Sequence, residues 1–128
     1  MSKESIFLIM AAAGLTPIAL SYGLSPQESL SFLYDIDASS TNSTHIFRAV
    51  MGLYFAQVIF WICGARSESL RLPALWSLTV FMLGLAAGRA ISLVVDGMPH
   101  PLLVIFLVLE IGFGFVGYYL IAKSSKKS

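Results

Sequence analysis

The chain has 128 residues, 57% of them hydrophobic and only 12% charged, with eight Lys or Arg against seven Asp or Glu and a mean hydropathy of +0.82. A soluble domain carries roughly 25% charge, so this balance excludes a water-soluble globule and equally a disordered chain. A net charge of +1 and a single cysteine exclude a basic nucleic-acid binder and a disulfide scaffold, which leaves an integral membrane protein.

A membrane-crossing helix needs about 20 mostly apolar residues. The first qualifying segment runs over about 5–24 and contains IFLIMAAAGLTPIALSYGL. Lys3 ahead of an apolar core also fits a signal peptide, but the small-residue site around Ala19–Ser21 is poorly formed for cleavage. The segment is therefore read as a retained span, which Pro17 bends.

A polar stretch over 25–44 follows. Within it, SLSFLYDI reads as a short amphipathic piece at the membrane surface, with Leu30, Leu33 and Tyr34 dipping into lipid. Ser43 or Thr44 is the expected cap of the next helix. Asn42-Ser43-Thr44 matches a three-residue glycosylation pattern, a weak signal.

The second span covers about 45–65, the third about 72–95 and the fourth about 101–122. A charged turn at Arg66–Arg71 and a short link at Asp96–His100 join them. The expected fold is all-α: one domain over 1–128, a polytopic membrane protein with a four-helix transmembrane bundle. Four spans put both termini on one side. That side holds Lys3, Arg66, Arg71, Lys123, Lys126 and Lys127, while Glu28, Asp35, Asp37 and Asp96 fall on the other with Arg48. The basic bias assigns both termini to the cytoplasm and the chain to the inner membrane.

Charge at membrane depth is costly, and it marks a functional site by default. Glu110 lies nine residues into the fourth span, about 13 Å deep at 1.5 Å per residue. Arg89 lies six residues before Val95, about 9 Å below the end of the third span. The short link makes these spans antiparallel neighbours, so the two side chains are expected to pair or to share a ligand. Arg48 and Asp96 point to the same half, with His45 at the rim and Gln57 deeper. Together these six residues form the candidate polar cluster. Plainer readings stand beside it. An ion pair can simply lock two helices, Arg48 can meet a lipid phosphate, and Asp96-Gly97 is an ordinary turn pair. No His/Cys/Asp spacing supports a metal, nothing points to a cofactor, and Cys63 reads as a packed small hydrophobe.

Glycines form a second pattern. Gly84 and Gly88 make a GxxxG in the third span, and Gly112, Gly114 and Gly117 follow Glu110 in the fourth. All five are read as helix-packing positions. Trp61, Trp76, Tyr118 and Tyr119 are placed in an aromatic belt at the cytoplasmic interface, and Tyr22 and Tyr34 in the opposite one.

Three stretches, RAVMGLYFAQVIFWICGA, FMLGLAAGRAISLVVDGMPHP and LEIGFG, carry a resemblance. They are similar to small four-helix bacterial membrane proteins grouped as a domain of unknown function. The matching positions are Arg48, Gly52, Leu53, Tyr54, Gly84, Leu85, Ala86, Gly88, Arg89, Ser92, Asp96, Gly97, Pro99, Glu110 and Gly114. The resemblance covers roughly the last two thirds of the chain and implies the four-span fold without implying an activity.

Three functions follow as expectations. The first is a non-enzymatic accessory or structural subunit of a membrane complex. The second is a lipid- or apolar-small-molecule-binding protein or enzyme using Arg48, Arg89 and Glu110, with Glu110 as a candidate acid or base. The third is an oligomeric transporter or channel. The expected partners are membrane lipids, other membrane subunits or further copies of the chain, and not nucleic acid.

Overall fold

The computed structural model describes residues 2–127, with side chains through residue 124. The side chains of Lys126 and Lys127, counted above for orientation, lie outside the described residues. Five helices follow in order: α1 (Lys3–Gly23), α2 (Pro26–Tyr34), α3 (Thr41–Arg66), α4 (Glu68–Val95) and α5 (Pro101–Lys127). No strand occurs among the described residues. Four of the helices are long and apolar enough to cross a membrane, which makes the chain a multi-pass membrane protein.

Two of the long helices, α1 and α3, start where a serine side chain supplies a partner for a free amide. Ser2 accepts from the Ser5 amide at 3.1 Å to open α1. Ser40 accepts from Ser43 at 3.1 Å to open α3. The cap is thus Ser40 and not Ser43 or Thr44, because the helix begins one turn ahead of the apolar run. Hydropathy marks where a helix enters hydrocarbon, not where its hydrogen bonding begins. The same offset puts Arg71 inside α4. Only Ser67 separates α3 from α4, and the expected charged turn shrinks to a tight corner. Arg71 closes it by donating to the carbonyls of Gly64 at 3.3 Å and Ala65 at 3.1 Å. These carbonyls end α3 without helical partners of their own. Gly64 makes the corner possible, since a Cβ there would collide with that of Ala74.

The long helices alternate in direction, and α1 packs along α3, α3 along α4 and α4 along α5. Both termini therefore share one end, called here the terminal end. The α2 helix and the Asp96–His100 link share the other, the α2 end. Tyr22, Tyr54, Val58, Trp61, Leu75 and Leu78 lie between the helices. Outward faces are apolar instead: Ile59, Val80, Val108 and Phe115 are each more than 60% exposed. Among the described residues, every charged side chain except Arg48, Arg89 and Glu110 sits near a helix end, in α2 or in a link. An apolar exterior with charge confined to its rims is the surface a bilayer requires.

The α2 segment corrects one expectation. Leu30 and Tyr34 are buried against the long helices and do not dip into lipid, whereas Phe32 between them is 88% exposed. Tyr34 shares a 2.7 Å hydrogen bond with Ser21 of α1. Burial pushes its phenol above the ordinary tyrosine pKa, so the hydroxyl stays protonated and can donate. Asp35 ends α2 in the left-handed region at φ 58°, a conformation that aspartate tolerates better than most residues.

The aromatic belts are corrected in part. Trp61 is fully buried, donating to Ser77 Oγ at 3.0 Å, and Tyr22 and Tyr34 are also interior. Trp76, Tyr118 and Tyr119 are outward-facing. Cys63 is exposed on α3, not packed.

Candidate functional site

The site begins with an ion pair between neighbouring helices. Arg89 Nε on α4 donates to both carboxylate oxygens of Glu110 on α5, at 2.9 and 3.2 Å. Only 9% of the Glu110 side chain and 22% of the Arg89 side chain are accessible. The α5 backbone approaches α4 closely enough for this contact because Gly114 and Gly117 face α4. A Cβ at Gly114 would strike Leu83, and one at Gly117 would strike the Thr79 hydroxyl. Gly84, Gly88 and Gly112 do not share this role. Each is exposed, and a Cβ at any of them meets nothing within 4 Å. The GxxxG face of α4 is exposed, and among the described residues no side chain packs directly on Gly84 or Gly88.

The pair is enclosed by aromatic rings. Arg89 Cζ lies 5.8 Å from the centre of the Phe106 ring, close enough for a cation–π attraction. Its Nη2 donates to the Tyr22 hydroxyl at 3.4 Å. Tyr22 lies 5.5 Å from Tyr54 and 5.7 Å from Tyr34, and Tyr34 stands edge-on to Phe106 at 5.9 Å. Tyr54 continues through Phe81 to Trp61 at 5.2 and 5.7 Å. One chain of rings thus links α1, α2, α3, α4 and α5 around the buried charges.

The other members of the expected cluster stand apart. Arg48 is exposed and donates to the Gly23 carbonyl at 3.2 Å, tying α3 to the end of α1. Asp96 is exposed and accepts from Ser92 at 2.6 Å. His45 is exposed at the start of α3. Gln57 makes no hydrogen bond to the pair, and its Oε1 is buried without a partner among the described residues, as is Thr79 Oγ1. The six-residue cluster narrows to Arg89 and Glu110. Tyr22 and Tyr54 join them, and sequence reasoning missed both. Tyr54 carried a signal, since a phenol near the middle of a span needs a polar neighbour.

A cavity of about 70 Å³ opens beside the pair. Its α1 wall is Ala11, Gly14, Leu15 and Ile18, and its α5 wall is Phe106, Leu109 and Phe113. Tyr54, Met82 and Leu85 form the floor with Arg89 and Glu110. The wall helices meet at the terminal end, where Phe7 stacks on Phe113 with centroids 5.4 Å apart. Tyr34 against Phe106 closes the α2 end. Between these closures α1 and α5 stand apart, and Gly14 and the half-exposed Leu109 form a mouth on the apolar exterior. A second cavity of about 90 Å³ reaches Arg89 from the α4–α5 link, past Ser92, Gly97 and Pro99. Gly97 turns that link at φ +97°, a conformation that glycine adopts without strain.

Among the described residues, no group of three or more His, Cys, Asp or Glu side chains could hold a metal ion. The arrangement offers a paired guanidinium with unused N–H groups, a phenol, and apolar walls. Few polar groups amid apolar walls can orient a mainly apolar molecule.

Comparison with curated proteins and with solved structures returns no match. A family model described as a domain of unknown function, DUF4345, matches residues 4–121. The match takes in the first span and the α2 region as well as the stretches that carried the resemblance. The chain belongs to the DUF4345 family.

Proposed function

We propose that the chain forms a four-helix bundle in the inner membrane, with both termini cytoplasmic, and binds a lipid or another apolar molecule in the cleft between α1 and α5. Lys3, Arg66, Arg71 and Lys123 gather at the terminal end, which supports that orientation. A single cysteine placed at Ser39, with Cys63 replaced by alanine, is expected to react with an impermeant maleimide in intact cells. One placed at Ser124 is expected to react only after lysis. The opposite pattern would reverse the topology.

The binding reading rests on one observation: the buried ion pair floors an apolar cavity whose mouth faces the lipid side. A pair that served only to lock α4 to α5 would need no gap beside it. A guest reaches the mouth by moving within the bilayer and presents its polar end to Arg89. In this reading the polar end meets Arg89 and Tyr54, which line the cavity, whereas Arg48 does not line it.

Gly14→Phe tests this. A Cβ at Gly14 meets nothing within 4 Å, so the ring can narrow the mouth without disturbing the helix contacts. Protein isolated in native-membrane nanodiscs is extracted and its apolar contents are quantified by mass spectrometry. The wild type is expected to retain a defined species that Gly14→Phe loses by about tenfold, a difference of about 1.4 kcal/mol. Equal retention would contradict the reading.

The exposed Gly84–Gly88 face supports a second reading, that of an accessory subunit. With Leu53, Val80 and Leu85 it borders a shallow groove between α3 and α4. A helix of another membrane subunit or a second copy could approach closely there.

A further inference from the structure

We infer that the guest of the α1–α5 cleft is a single unbranched hydrocarbon chain ending in a neutral hydrogen-bond acceptor, such as an ester, carbonyl or hydroxyl oxygen, which docks on the guanidinium edge that Glu110 leaves free. The inference rests on the binding reading above and specifies the class of molecule.

The head group follows from the charges and donors. Among the described residues, Arg89 and Glu110 are the only charged ones lining the cavity, and their charges cancel. An anionic head would compete with Glu110 for Arg89 and leave a net negative charge among apolar walls. A cationic head would meet Arg89 with its carboxylate already taken. A neutral acceptor brings no new charge and needs only a donor. Donors are available because Glu110 occupies Nε alone. Nη2 makes one long bond of 3.4 Å to Tyr22, and Nη1 donates to none of the described residues. Tyr54 lines the same cavity, and the hydrogen bonds of the pair leave its hydroxyl unused. Arg89 and Tyr54 thus both border the space beside the pair, and their N–H and O–H donors form a set suited to an uncharged oxygen.

The chain follows from the shape. The free volume is about 70 Å³, about half of the ~150 Å³ that admits a benzene ring. Its α1 wall runs from Ala11 to Ile18, about 10 Å along the helix at 1.5 Å per residue. A slot of that length and small cross-section takes a straight chain more readily than a ring. The mouth between Gly14 and Leu109 lets the rest of the chain lie in the bilayer.

The test uses four twelve-carbon probes with a trifluoromethyl terminus: a methyl ester, a primary alcohol, an ionised carboxylate and an alkylammonium. Each is titrated into the protein in phosphatidylcholine nanodiscs and followed by the ¹⁹F resonance of its bound form. The ester and the alcohol are expected to bind about tenfold more tightly than either charged probe, and Gly14→Phe is expected to abolish the bound resonance. Tyr54→Phe keeps the ring packing and removes one donor, and is expected to weaken the ester several-fold. A carboxylate or ammonium probe that binds as tightly as the ester would overturn the head-group assignment while leaving the cleft as a chain-binding site. Absence of a bound resonance for every probe, or one unchanged by Gly14→Phe, would overturn the cleft reading as well.

Discussion

Glu110→Ala is expected to destabilise the protein by about 3–5 kcal/mol. The substitution removes the counter-charge from an arginine whose side chain is 22% accessible. Arginine does not deprotonate, so the stranded guanidinium must keep its charge among Phe106, Leu85 and Met82 or pull away and break the packing. Removing both charges acts differently. Arg89→Leu combined with Glu110→Leu leaves no buried charge, and is expected to recover most of the lost stability. The measurement is thermal unfolding in nanodiscs, followed by near-ultraviolet circular dichroism. A loss below about 0.5 kcal/mol for Glu110→Ala would mean that water from the α4–α5 cavity solvates Arg89 fully. The same result would remove the grounds for treating the pair as a dry polar floor.

Trp61→Ala is expected to cost a similar amount, about 3–5 kcal/mol. Trp61 is fully enclosed, stands edge-on to Phe81 and donates to Ser77. Within a bilayer, burial gains little from leaving water, because lipid chains are as apolar as the protein interior. The cost therefore comes from the void, the lost ring contacts and the lost hydrogen bond to Ser77, whose hydroxyl keeps its own bond to the Ala74 carbonyl. Trp76 is the internal control. It is 49% exposed, and its alanine variant is expected to lose less than about 1 kcal/mol. Equal losses at the two positions in the same unfolding assay would contradict this placement of Trp61.

The contrast between these tryptophans shows what the sequence could and could not convey. Position along a helix axis was legible. Hydropathy located all four spans, and counting residues at a fixed rise put Arg89 and Glu110 at matching depth on adjacent helices, where they meet. Position around the axis was not legible, because it depends on which neighbours a helix acquires. By depth alone Trp61 belongs to the interface belt, but rotation around α3 carries it inward. Arg48 and Asp96 share the half of the molecule expected for them, yet Arg48 turns to Gly23 and Asp96 is held by Ser92. Gly84 and Gly88 have a helix-packing spacing, yet among the described residues no side chain packs directly on them. The amphipathic character of α2 was visible, but not that its apolar side would cover the protein instead of entering lipid. Tyr22 and Tyr54 were hidden for the same reason, since a phenol reads as an aromatic until its hydroxyl is seen to have a buried polar neighbour.

This division explains why the site is smaller and drier than a depth argument implies. Four charged residues in one half of the molecule suggest a broad shared polar cluster. In the proposed function two of them, set between helices and ringed by aromatic side chains, are the anchor point at the base of a slot. The closures at Phe7–Phe113 and Tyr34–Phe106 leave the gap between α1 and α5 as the way in, and that gap faces hydrocarbon.

The most direct test is therefore photo-crosslinking in native membranes with a fatty-chain probe that carries a diazirine midway along its chain. Adducts are mapped by tandem mass spectrometry, with and without excess unlabelled probe. If the cleft holds a chain, adducts concentrate on Gly14, Ile18, Leu109 and Phe113, and unlabelled probe suppresses them. Adducts spread evenly over outward-facing residues such as Ile59, Val80 and Phe115, with no suppression by competitor, would show that the cleft is empty of lipid and contradict the proposal.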